Sequence, residues 1–223
     1  MAEATVGFGC TSIFGEQTGW NPQNSTKKTS KQRARSLGGT GNETGSKLYD
    51  ERTDASQNFE AATVAAPTVA EIIGALVGGY ILTAINLVTS ATAMATMALT
   101  GHNHGSNAHA NTLMQAAHGV TLDSGFGAQD FLEGTAGDNA EVESGNLTIA
   151  LQHRDKVGGN AGAHFIGQNY DCMMTATVTW IGTPSAVSDG TWDVTESDET
   201  KGNTEDEKHT YTGTKSVALA PPA

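Results

Sequence analysis

The stretch Cys172–Trp180, CMMTATVTW, decides the fold class. Met174, Ala176, Val178 and Trp180 alternate with Thr175, Thr177 and Thr179. A period of two puts apolar side chains on one face and hydroxyls on the other, which is the signature of a strand with one face on a core. Upstream, Leu147, Ile149 and Leu151 repeat the same alternation. Further upstream, Ile81, Thr83, Ile85 and Leu87 share one face of a strand whose other face carries Tyr80, Leu82, Ala84 and Val88. Both of those faces are largely apolar, so this strand is expected at the centre of a sheet and covered on both sides. Met94, Thr96, Ala98 and Thr100 suggest its partner, ending at Gly101.

Elsewhere the pattern is weaker. Ser46–Val64 reads as two strands around a short break at Asp54–Ser56, and residues 1–20 as a short strand and a loop. Thr68 followed three residues later by Glu71 resembles a capping box, and Val69, Ile72, Ile73, Leu76 and Val77 follow at helical spacing. A helix of about two turns, closed by Gly78-Gly79, is therefore expected there, with loop and strand as the alternative. Residues 21–47 are polar and read as a long loop or arm. Residues 101–144 and 157–169 read as Gly-rich loops. Beyond Pro184 the chain is acidic and Thr-rich, with Trp192, Val194, Tyr211 and Thr212 in edge strands or an arm. The expected organisation is a mainly-β domain over 1–182, a sandwich or small barrel with about one short helix, and an acidic extension over 183–223.

Composition narrows the function classes. Of 223 residues only 37% are hydrophobic and 6% aromatic, so the chain has little core material for its length, and burial against neighbouring subunits is one way to compensate. A net charge of −12 argues against a surface that binds nucleic acid or acidic membranes throughout. The charge is unevenly placed. Lys27, Lys28, Lys31, Arg33 and Arg35 hold five of the twelve basic residues, while eight of the 24 acids lie between Asp189 and Glu207. The two segments are candidates to pair between subunits, with Asp198, Glu199, Glu205, Asp206 and Glu207 on the acidic side; two solvated, independent segments are the alternative reading. Trp20 beside the basic arm is a single aromatic, so a stacking surface for nucleic acid is disfavoured. Cys10 and Cys172 form no CxxC pattern and read as free thiols. The N-terminus has no basic leader before an apolar run, and Val69–Val88, interrupted by Glu71, Gly74 and Asn86, reads as core and not as a membrane span.

Chemistry-bearing patterns are few. His102-Asn103-His104, with His109 and His118 downstream, is the strongest, because an HxH pair on a strand aims both imidazoles to one side and a third His completes a first-row metal site. His153 and His164 are further candidates. Yet no Glu follows until Glu133, and the pair falls past the expected end of its strand. Hydrogen bonding to loop backbone or to a neighbouring subunit is therefore the favoured reading, and no cofactor is expected. No GxSxG elbow or Cys–His setting is present, the Gly-rich segments lack a phosphate-binding spacing, and Glu141/Glu143 read as solvated loop charges. No enzyme is expected.

Gly19-Trp20 before a polar arm, Gly41-Asn42, the run Leu48-Tyr49-Asp50-Glu51-Arg52-Thr53-Asp54-Ala55, Gly79–Ile85 and Thr100–His104 together resemble phage and prophage virion proteins of the tail-tube type over residues 1–182. That resemblance implies a β-sandwich or small barrel that forms rings, loops and arms that reach adjacent subunits, and a negative lumen through which DNA passes as cargo. It also implies other virion proteins as partners, no membrane, and a place in a virion assembled in the host cytoplasm. No catalytic residue comes with it. A capsid decoration or cement protein and a small metal-binding β-barrel using His102, His104 and His109 are the rival readings.

Overall fold

A computed structural model describes residues 11–63, 69–104, 118–122, 134–135, 141–158, 163–184, 186–187, 192–202 and 206–219. The chain is mainly β. Its strands are β1 (Trp20–Leu37), β2 (Glu43–Ala61), β3 (Val69–Ile73), β4 (Leu76–Val77), β5 (Tyr80–Ser90), β6 (Thr96–Asn103), β7 (His118–Leu122), β8 (Gly134–Thr135), β9 (Glu141–Gly158), β10 (Ala163–Ile181), β11 (Ala186–Val187), β12 (Asp193–Thr200) and β13 (Lys208–Val217). The main sheet is antiparallel and runs β1-β2-β6-β5-β9-β10-β13-β12, with β4 also on β5; β3 pairs β7 and β8 pairs β11. The sheet does not close, so the barrel alternative does not hold and the architecture is sandwich-like. β10 nevertheless approaches β2, from which three strands separate it in the order, because the sheet curls on itself.

The alternation read from the sequence is what fills the core. Ile85, Leu87, Met97, Leu99, Leu147, Ile149, Ala176, Val178 and Trp180 all lie in one buried cluster with Phe14, Phe59 and Trp192. β5 is central, between β6 and β9, but it is not covered on both sides: Ile85 and Leu87 are buried, whereas Ala84, Asn86 and Val88 are only half-buried. The segment Ile13–Phe14 packs over this core, where the Ile13 amide donates to Gln57 Oε1 at 2.7 Å. Two glycines make that approach possible. A Cβ at Gly78, whose φ is +59°, would stand 2.3 Å from the Ile13 carbonyl oxygen, and one at Gly101 would lie 3.0 Å from Phe14 Cε1 as well as 2.6 Å from Ile81 O.

Several expectations are corrected. The helix over 68–77 is absent: Val69–Ile73 is a strand on His118–Leu122, and Leu76–Val77 forms a hairpin with Tyr80–Ile81. The β-branched Val69, Ile72 and Ile73 suit a ladder, and Gly78-Gly79, both at positive φ, make a two-residue hairpin turn instead of a helix stop. Val69–Val88 is thus strand, and no helix among the described residues is long and apolar enough to cross a membrane. Ser46–Val64 contains no break at Asp54–Ser56, since β2 runs unbroken through it. The acidic C-terminal part is no mere extension, because β13 pairs β10 and β12 forms the far edge of the same sheet. Inside 101–144, β6 continues to Asn103, β7 and β8 intervene, and β9 begins at Glu141, so Glu141 and Glu143 lie on a strand. Of the loop expected over 157–169, residues 157–158 lie on β9 and 163–169 on β10, and 159–162 lie outside the described residues.

The polar arm over 21–47 is the largest revision. It is one strand of a long antiparallel hairpin whose register runs from Trp20↔Ala61 to Leu37↔Glu43. β2 pairs β6 only over Thr53–Glu60. Ser30–Leu37 and Glu43–Arg52 therefore pair with each other and project as a two-stranded ribbon of roughly 30 Å at about 3.4 Å per residue.

Candidate functional site

Three histidines meet where β6 ends beside the β9–β10 hairpin. His102 and His104 stand two residues apart on β6 and just past it, and both are buried. His153 comes from β9, whose ladder with β5 stops at Ala150 while its pairing with β10 continues to Gly158. The freed hairpin brings the His153 ring to 4.5 Å from His102 and 6.1 Å from His104, and the latter two rings lie 5.1 Å apart, edge to face. One nitrogen from each ring lies within 4.8 Å of the others. His153 Nδ1 is 2.7 Å from Oδ1 of the buried Asn169, its cross-strand partner in the register. In the tautomer whose Nδ1–H donates to that amide oxygen, Nε2 is the ring's acceptor nitrogen. The β5 residue paired with His102, Ile81, is fully buried.

The sequence reading placed the HxH pair beyond its strand, whereas His102 is inside β6 and His104 one residue past it. Of the three proposed histidines, His102 and His104 are together, and His109 lies outside the described residues. His118 falls on β7 and His164 on β10. His153 follows Leu147, Ile149 and Leu151 at the same spacing, so extending that alternation by two residues finds it. Asn169 was missed, and no local pattern singles it out.

The charged candidates occupy the two ends of the sheet. Lys27, Lys28, Lys31, Arg33 and Arg35 lie on exposed β1, and Asp198 and Glu199 on β12, which is exposed throughout. They are not brought together within the chain, since six strands separate β1 from β12 in the sheet order. Lys31 pairs with Glu51 at 2.8 Å, Arg33 pairs with Glu43, and Lys27 Nζ lies 5.6 Å from the Tyr80 ring centroid. Asp206 is exposed, and Glu205 lies outside the described residues. Glu207 is bound at the base of the β12–β13 turn, 2.7 Å from His209 Nε2, 3.1 Å from Lys201 Nζ and 3.0 Å from the Thr183 hydroxyl. The hydrogen bonds from His209, Lys201 and Thr183 pull its carboxyl down to about 2. Lys201 also holds Glu199, so this acidic group already has its cation. Burial, aided by Asp171, pushes the Cys172 thiol up to about 11, which makes it a poor nucleophile. No family model matches the chain, and no curated protein matches it either.

Proposed function

We propose that the chain is a self-assembling structural subunit of a phage-like particle, of the tail-tube type, whose copies join through opposite edges of the main sheet. The observation that carries this reading is the sign of charge on those edges. β1 holds five basic residues and no acid, and β12 holds four acids and no base. An edge strand presents unpaired backbone donors and acceptors to any strand that can approach. Like edges repel here and unlike edges attract, so the favoured encounter is β1 of one copy with β12 of the next. Because the two joining surfaces differ, such a contact repeats around a ring or along a filament.

The projecting ribbon supports the same reading. A two-stranded hairpin is marginal alone in water, and this one exposes Leu37 (62%) and Leu48 (61%) near its tip. Seating the tip on a neighbour would cover both leucines. The net charge of −12 suits a passage for DNA, because carboxylates repel phosphates. Other virion proteins are the further partners in this reading.

Sedimentation velocity and negative-stain imaging test it. Rings or tubes are expected, and they should weaken as added salt screens the edges. A variant with Asp193→Lys, Glu196→Lys and Asp198→Lys should fail to assemble alone, as should one with Lys27→Glu, Lys28→Glu and Lys31→Glu, while a mixture of the two should recover joining. A wild-type chain that stays monomeric at high concentration overturns the proposal. Closed trimers without rings would replace the tube with a shell-decorating subunit.

A further inference from the structure

We infer that His102, His104 and His153 form a binding site for one divalent first-row transition cation, with zinc the natural probe. Three neutral imidazole nitrogens from two chain segments are the donor set that borderline-soft cations prefer, and no carboxylate is needed to hold them. Their separation is close to what such an ion requires. Nitrogens within 4.8 Å of one another need only modest side-chain rotation to reach the roughly 3.4 Å spacing of a tetrahedral ion with ~2.0–2.1 Å bonds. The contact between Asn169 and His153 Nδ1 is the outer-shell arrangement that orients a ligating imidazole and fixes which nitrogen faces the ion. Burial of His102 and His104 removes competing solvent from two of the donors.

Such an ion would tie the end of β6 to the β9–β10 hairpin at the point where that hairpin leaves β5. It is independent of the charged edges, so the two proposals stand or fall separately. Untagged protein, dialysed against zinc and then against metal-free buffer, should retain about one equivalent by elemental analysis. Cobalt in place of zinc should give the visible absorption of a nitrogen-ligated ion. His153→Ala, the replacement at the least buried of the three histidines, should keep the circular dichroism of the parent and lose the metal. Asn169→Ala should weaken zinc binding by about 10–100-fold. Chelator should lower the Tm of the wild type and leave that of His153→Ala unchanged. Substoichiometric zinc in the wild type, or full retention in folded His153→Ala, overturns the site.

Discussion

The central strands and the projecting ribbon have the same secondary structure and opposite reasons for having it. In β5, β6 and β9, Ile85, Leu99 and Ile149 are fully buried and meet directly across the ladders. In the ribbon most residues are exposed, and the pairs are polar: Tyr49 with Gln32 at 3.1 Å, Lys31 with Glu51 and Arg33 with Glu43. Burial holds the first region, and a row of weak cross-strand contacts holds the second. A strand therefore needs no apolar alternation if a partner strand faces it residue by residue.

The comparison breaks most sharply at the core. Leu99→Ala removes a side chain with no exposure from the middle of β6 and should cost about 2–5 kcal/mol, read as a lower urea midpoint with an unchanged slope. A smaller, pH-dependent effect is expected at the edge hairpin. Glu207 has a depressed carboxyl in the folded chain, near 2 against an ordinary 4.5. Its contribution is therefore present above about 4.5 and disappears as pH falls from there toward 2. Protection of the β12–β13 amides against exchange, relative to the unfolded chain at the same pH, should fall over that window in the wild type, and Glu207→Gln should flatten the dependence. A profile identical in both proteins would show that Glu207 does not hold the turn. The smallest change is expected on the ribbon. Arg33→Ala breaks an exposed pair with Glu43 and should alter stability by less than about 1 kcal/mol in the same urea titration. A loss comparable to that of Leu99→Ala would erase the distinction between the two regions.

The same contrast explains what the sequence made legible. Strands that bury a face, such as Cys172–Trp180 and Leu147–Leu151, announce themselves by period two, and their positions in the core followed from it. β1 was invisible to that signal, because Asn24, Thr29 and Gln32 alternate with nothing apolar. The expected helix over 68–77 arose because Val69, Ile72, Ile73 and Leu76 fit both periods over so short a run; pairing with β7 and the turn at Gly78-Gly79 decided between them. Two of the three clustered histidines were legible as HxH. The alternation of Leu147, Ile149 and Leu151 reaches His153, but its meeting with that pair depends on β9 outrunning β5 after Ala150, a matter of relative strand length.

One face of the sheet has a consequence of its own. Across β5, β9, β10 and β13 the side turned away from the core carries hydroxyls and amides joined to one another: Asn86 donates to Asn146 and Thr148 at 2.8 Å, Thr177 meets Thr212 and Thr179 meets Thr210, both at 3.1 Å. Side chains that satisfy each other have less capacity left to grip a molecule sliding over them, and these groups add no formal charge. In an assembly of the kind proposed, such a surface would act as a low-adhesion lining, smooth to a polyanion in motion.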